Sequence, residues 1–339
     1  MQNIMSVRGS LEQGSLNQRI KEIYVDEQRV PYNRERYIRA IDRFTELFPS
    51  EKEIEIYSAP GRSEVCGNHT DHQNGMVLAT SINLDAIAIV AKAEEPVIRL
   101  VSGDFPMEEV DVADLSMKEE EQSTTTALIR GVAAGMKERG HKVGGFTAYI
   151  TSDVLMGAGM SSSAAFESLI GTILSGLYND MKVSSIEIAQ IGQYAENIYF
   201  GKPCGLMDQM ACSVGGMIFI DFKEKEHPEV RQVHTDFEKA GLSLCIVDTK
   251  GSHADLTPDY AAVPAEMNQV AQALGREHLR EVPRETFFKE LPKLWKETSG
   301  RAVLRAIHFY EEEERVLRGV KSLEESDYPG FLSVIKASG

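Results

Sequence analysis

Basic charge is scarce in this chain: 36 Lys and Arg stand against 52 Asp and Glu, for a formal charge of −16. That balance excludes the electrostatic footprint of a nucleic-acid binder and the polybasic patch of a membrane-surface protein. Any phosphate the chain holds must be met locally, by backbone N–H groups, a metal ion or one or two cations. Cysteine is scarce too. Cys66, Cys204, Cys212 and Cys245 are scattered with no CxxC pair, which argues against a zinc site and a disulfide framework and fits a reducing cytosol. No apolar run approaches the roughly 18 residues of a membrane span, and MQNIMSVRGSLEQGS lacks the apolar stretch of a signal peptide. The remaining expectation is a soluble, acidic, cytoplasmic protein. Its 339 residues suggest about two domains, and 42 % apolar residues give ample material for a core.

Along the chain, residues 1–33 read as a frayed start with short helices. Tyr37, Ile38, Ile41, Phe44 and Leu47 form a helical stripe over 34–48. EIEIYSAPGR reads as a short strand ended by Pro60-Gly61, and 76–93, 97–102 and 145–151 read as further strands, with a helix over 124–139. Phe166, Leu169, Ile170, Ile173, Leu174 and Leu177 make 161–178 the clearest amphipathic helix. Ser184 or Ser185 caps the next, which runs to about Phe200. Strands are expected at 217–222 and 242–248, and helices from 259 to 323. The boundary between domains falls softly near 225–240. PGFLSVIKASG is an apolar segment without a polar tail, an unusual end for a domain.

Three segments carry chemistry. Gly157-Ala158-Gly159-Met160-Ser161-Ser162-Ser163 lies between a strand and the strongest helix. Its glycines permit a sharp turn, and its serines open a helix whose free N–H groups attract phosphate. It is neither a Walker A loop nor GxSxG. Taken alone it reads equally as a serine N-cap after a glycine turn. The second segment is Ala59-Pro60-Gly61-Arg62, followed by Gly67-Asn68-His69-Thr70-Asp71-His72. Contiguous ligands in one tight turn rarely share a face, so hydroxyl recognition by Asp71 and His69 is preferred over a metal site. The third places Glu196 before Pro203-Cys204-Gly205-Leu206-Met207-Asp208-Gln209. Each acid alone is most simply a solvated surface residue. Trp295 and Phe287-Phe288 read as packing, and the acidic run 311–314 as a solvated helix face. His253 and Asp255 receive no role.

Together these segments resemble the galactokinase branch of the GHMP small-molecule kinases: APGR…GxHTDxxxG, GAGxSSSAA and AExxxxGxPCGxMDQ occur in the family's order across about residues 30–265. The resemblance implies an α+β, two-domain fold. An N-terminal domain, here 1–230, carries a left-handed β-α-β unit. A ferredoxin-like C-terminal domain, here 231–339, is incomplete, because the family's glycine-rich third motif does not occur before Gly339. The active site is expected in the cleft between them. The resemblance also implies ATP on Gly157, Ala158, Gly159, Met160, Ser161, Ser162 and Ser163, with a weaker nucleotide position at Ser102, and Mg on Ser163 and Glu196. Asp208 and Arg62 fall at the reacting anomeric hydroxyl, with Asn68, His69, Thr70, Asp71 and Tyr260 on the sugar.

The implied reaction is ATP-dependent phosphorylation of galactose at its C1 hydroxyl. The expected partners are sugar and ATP, with neither nucleic acid nor membrane, and the chain a monomer. Asn68 departs from the family's glutamate, and Asp71-His72-Gln73 from its Asp-Tyr-Asn. A sugar with a C6 carboxylate, such as galacturonate, or an amino sugar is therefore the alternative substrate. A non-catalytic sugar sensor or an inactive fragment are the alternatives of other classes; against the sensor, the serine loop is intact.

Overall fold

The computed structural model describes residues 1–155, 157, 159–224, 226–247 and 257–339, with the side chains of Thr257, Pro258 and Tyr260 outside the description. The chain divides into two compact units. The first is Met1–Gly61, Ile82–Met156 and Met160–Val214, and the second Arg62–Ser81, Gly157–Gly159 and Gly215–Gly339.

The first unit begins with β1 (Gln2–Asn3), α1 (Ile4–Glu12), α2 (Asn17–Tyr24) and α3 (Val30–Leu47). The start is not frayed. Ile4, Val7 and Leu11 fall on one face of α1 and are buried, Asn3 caps the helix by accepting from Met5 N and Ser6 N, and β1 pairs with β2 (Glu53–Cys66). Contrary to the sequence reading, β2 continues through Pro60-Gly61. β1 pairs with Glu53 and Ile54, so Pro60, with no N–H to donate, lies outside that pairing. Gly61 is required by a close approach, since a Cβ there would lie 2.9 Å from Met160 O.

β3 (Met76–Lys92) is one long strand, followed by β4 (Val97–Ser102), β5 (Glu108–Asp111), α4 (Thr125–Glu138) and β6 (Phe146–Ser152). The strand order is β1-β2-β3-β6-β4-β5. β4 and β6 are parallel neighbours, which demands a crossover, here supplied by β5 and α4. α5 (Ser162–Asn179) buries Leu169, Ile170, Ile173 and Leu174 against Ile129, Val132, Ala148 and Ile150 in one apolar core. Ser184 caps α6 (Ser185–Tyr194) through Glu187 N. The helix then widens into a π-helical turn over Ala195–Phe200, ended by Gly201 at φ 84°, and α7 (Met207–Val214) completes the unit.

In the second unit the first residues of β3, 76–80, pair with β7 (Met217–Asp221), which pairs with β8 (Glu229–Gln232). Four helices follow: α8 (Thr257–Ala273), α9 (Arg284–Glu297), α10 (Gly300–Glu324) and α11 (Tyr328–Ser338). Met76, Leu78, Met217 and Phe219 of the strands pack with Val316, Val320, Leu323, Phe331 and Val334 of α10 and α11. The C-terminal apolar segment is thus a packed helix. Phe287 stacks on Tyr310 within a second helical cluster, so it packs as expected. Of the strand expected over 242–248, residues 242–247 show no ladder partner among the described residues, and Leu244, Ile246 and Val247 are exposed. Alternating apolar residues make a strand only where a neighbouring edge accepts them. Asp248, His253 and Asp255 lie outside the described residues. No helix among the described residues is long and apolar enough to cross a membrane.

Candidate active site

The serine segment joins β6 to α5. Gly157 and Gly159 adopt φ of 72° and 74°, with open space where a Cβ would stand, so backbone conformation alone calls for glycine there. Ser161 takes the helix N-cap position in the left-handed region, φ 54°, uncommon for a residue with a side chain. Its hydroxyl does not cap the helix and instead donates to Asp208 Oδ2. Ser161 thus occupies the N-cap position without its side chain satisfying a first-turn N–H group. Met160 is buried, Ser162 and Ser163 are half-buried, and Ala158 lies outside the described residues. Ser102 ends β4 beside Ile150 of β6.

Asp208 stands in the first turn of α7. Glu196 is no solvated acid. It is 3 % exposed, and three groups converge on it. Oε1 lies 3.3 Å from Ser163 Oγ and 3.1 Å from Lys202 Nζ, and Oε2 accepts from Gln209 Nε2 at 2.9 Å. Gln209 Nε2 also reaches Glu167 Oε2, 3.1 Å away. Gly192 makes room for this pair, since a Cβ there would stand 3.1 Å from Glu167 Oε2. Burial, and then the charge of Glu196, push the Glu167 carboxyl well above the usual carboxylate range. Burial opposes the Lys202 ammonium, but the Glu196 charge outweighs it and holds its pKa above the ordinary value. Glu167 and Lys202 were missed from sequence. The available signal was spacing: Glu167 follows Ser163 by one helical turn, on the same face of α5.

The donor set fits a hard divalent cation. Neighbouring oxygens around Mg at about 2.1 Å lie roughly 3 Å apart, and the Ser163 hydroxyl and Glu196 carboxylate present such a pair. No cluster of three or more His, Cys, Asp or Glu that could hold a metal exists among the described residues.

In the second unit Arg62, near the end of β2, donates through Nη1 to Gly159 O. The turn after β2 is tight: a Cβ on Gly67, φ 101°, would lie 2.6 Å from Met76 O. Asn68 is exposed, and its carbonyl accepts from His308 Nε2 at 2.9 Å. His69, φ 61°, stacks on His72 with ring centres 5.9 Å apart, and burial, then the neighbouring His72, lower its pKa. Thr70 is fully buried, its hydroxyl 2.8 Å from Gly67 O and 2.6 Å from Met76 O. Asp71 Oδ1 accepts from His72 N at 3.0 Å. Tyr260 falls on α8, its side chain outside the description.

A hydroxyl-held carboxylate, a helix N-terminus after a glycine turn, and a half-buried serine beside a buried glutamate stand together on an α+β scaffold of the kind GHMP kinases share. The family model for the GHMP kinase N-terminal domain matches residues 127–216, and the galactokinase galactose-binding signature matches residues 42–92. Galactokinase from Streptomyces coelicolor is 33 % identical over 84 % of this chain and 73 % of its own length. That from Actinobacillus pleuropneumoniae is also 33 % identical, over 85 % of this chain and 73 % of its own length. Among solved structures, Lactococcus lactis galactokinase complexed with galactose superposes with a TM-score of 0.72 at 24 % identity, covering 88 % of this chain and 76 % of that one. The chain belongs to the galactokinase family.

Proposed function

We propose that this protein transfers the γ-phosphoryl group of ATP to the anomeric hydroxyl of galactose, giving galactose 1-phosphate. The observation that carries the proposal is the arrangement at the start of α5: Ser161 bonded to Asp208 and Ser163 beside Glu196, one helical turn holding a base and a cation site. Phosphoryl transfer needs positioning and charge neutralisation more than covalent chemistry. The N–H groups of the serine loop cradle the phosphates. Ser163 and Glu196 would hold a divalent cation such as Mg, which would supply neutralisation of phosphate charge. Asp208, oriented by Ser161, accepts the proton of the sugar O1 as it attacks. Arg62 offsets charge developing on the transferred group. Asn68, His69 and Asp71 meet the sugar hydroxyls, and the buried Thr70 holds the turn in shape. Four free cysteines are in keeping with a cytosolic kinase.

A coupled ADP-release assay with Mg-ATP and, separately, galactose, galacturonate, N-acetylgalactosamine and glucose tests this reading. Turnover with galactose is expected. Turnover with galacturonate alone would overturn the substrate and make Asn68 the residue that sets it.

A further inference from the structure

The acidic run on α10 is a solvated face only in part: Glu311 and Glu314 are exposed, and Glu312 and Glu313 are not. Glu312 is fully buried, and Glu313 keeps 12 % of its side chain exposed. Both carboxylates reach one loop, residues 67–76, which joins β2 to β3. Glu312 Oε2 accepts from Gly67 N at 2.8 Å, and Glu313 Oε1 accepts from Met76 N at 2.5 Å. These residues bound the loop: Gly67 is its first residue and Met76 the first residue of β3. Glu312 is fixed in turn by Arg315 Nη1 at 2.6 Å and Ser338 Oγ at 2.8 Å. Glu313 is paired with Arg280, whose Nη2 also holds Asp221 at 2.6 Å.

The rest of the loop is tied to the same helical layer. His308 of α10 donates to Asn68 O. The fully buried Gln73 donates to Asn268 of α8 at 2.6 Å and accepts from Leu279 N at 3.0 Å.

This clamp has a conformational task. Gly67, His69 and Asn74 all have positive φ, at 101°, 61° and 55°, so the loop is held in a shape that an unrestrained chain rarely adopts. A packing role alone calls for an apolar residue at the position of Glu312, because a buried carboxylate is costly unless it is fully hydrogen-bonded. Here each acid spends an oxygen on a backbone N–H of the loop.

We propose that Glu312 and Glu313 are positioning residues for sugar recognition, clamping the two ends of the 67–76 loop so that Asn68, His69 and Asp71 are presented in one conformation. The proposal rests on the reading of that loop as the sugar contact.

The test compares Glu312→Leu and Glu313→Leu, which remove the acceptor, with Glu312→Gln and Glu313→Gln, which keep one. Galactose and ATP are varied separately in steady-state assays, and amide exchange is followed at Gly67 and Met76. The leucine variants are expected to raise the galactose KM about tenfold or more. Their ATP KM and kcat should stay within about twofold, and the glutamine variants should recover most of the loss. Exchange protection at the matching amide should fall in the leucine variants only. Parallel rises in both KM values, no rescue by glutamine, or unchanged amide protection would overturn the clamp. If the fully buried site rejects leucine and Glu312→Leu does not fold, the Glu313 pair carries the same comparison. A wild-type chain that turns over no galactose defeats the functional reading instead, and amide protection still decides the clamp.

Discussion

Replacing Glu313 with glutamine separates two opposing effects on one carboxyl. Burial pushes its pKa up from the usual 4.5 to about 7, while Arg280 and the Met76 N–H pull it down and Asp221 adds to the rise. Because the folded pKa is the higher one, the folded chain holds a proton that the unfolded chain has already released between these two values. The stabilising contribution is therefore complete below about 4.5 and is lost as pH rises through about 7. Each pH unit within that window is worth about 1.4 kcal/mol, so crossing it removes on the order of 3 kcal/mol. Glutamine has the shape of the protonated acid and keeps an acceptor for Met76 N, yet cannot ionise.

Urea midpoints of the two proteins, taken at about pH 5, 6, 7 and 8, report the difference directly. The variant should gain on the wild type as pH rises, with the gain levelling off above about 7. A difference that stays flat, or that moves in favour of the wild type, would refute the reasoning. It would mean that the attraction between Glu313 and Arg280 outweighs burial and that the acid is charged throughout.

Asp208→Asn should lower kcat on the order of a thousandfold. Its amide oxygen can still accept from Ser161 Oγ, so ATP affinity measured by calorimetry should change little. Glu196→Gln should raise the Mg concentration needed for half-maximal rate and weaken Mn binding measured by electron spin resonance. Chelation of the wild type should abolish turnover, and added Mg should restore it. Gly61→Ala places a Cβ 2.9 Å from Met160 O and 3.0 Å from Val154, which should cost about 1–3 kcal/mol in thermal unfolding and slow turnover by displacing the serine loop.

The parts of the site that were legible in the sequence are those where chemistry and local conformation coincide. The glycines at 157 and 159 announce a backbone that few other residues adopt, and the apolar stripe of α5 fixes where the helix after them begins. What stayed hidden depends on partners distant in the chain. Ile4, Val7 and Leu11 do follow a helical spacing, but three apolar residues among polar ones say little until α3 provides Ala40, Ile41 and Phe44 to cover them. Residues 242–247 alternate well and show no ladder partner among the described residues, because propensity does not supply an edge to pair with. The acidic run of α10 is the sharpest case. Four adjacent glutamates read as solvated, since a sequence reports charge but not which carboxylates a backbone N–H 245 or 237 residues away will claim.

The same limit explains why Glu196 looked ordinary, and its surroundings show how the site holds charge before any substrate arrives. Two carboxylates, Glu167 and Glu196, share one amide donor in a dry place, and both cannot ionise cheaply there. Glu167, fully buried beside the other acid, is the one driven toward its neutral form. Glu196 lies on the face toward Ser163, with Lys202 Nζ 3.1 Å from its Oε1. The pair is asymmetric: the Lys202 side chain is 62 % exposed, whereas that of Glu196 is 4 % exposed. Returning the ammonium to water costs little, while moving the carboxylate breaks its bond to Gln209 and its packing. A cation held by Ser163 and Glu196 would therefore take the place of Lys202 beside a carboxylate already in position. Catalysis by phosphoryl transfer depends on such preorganisation, because the groups that neutralise developing charge cannot be reoriented during the step itself.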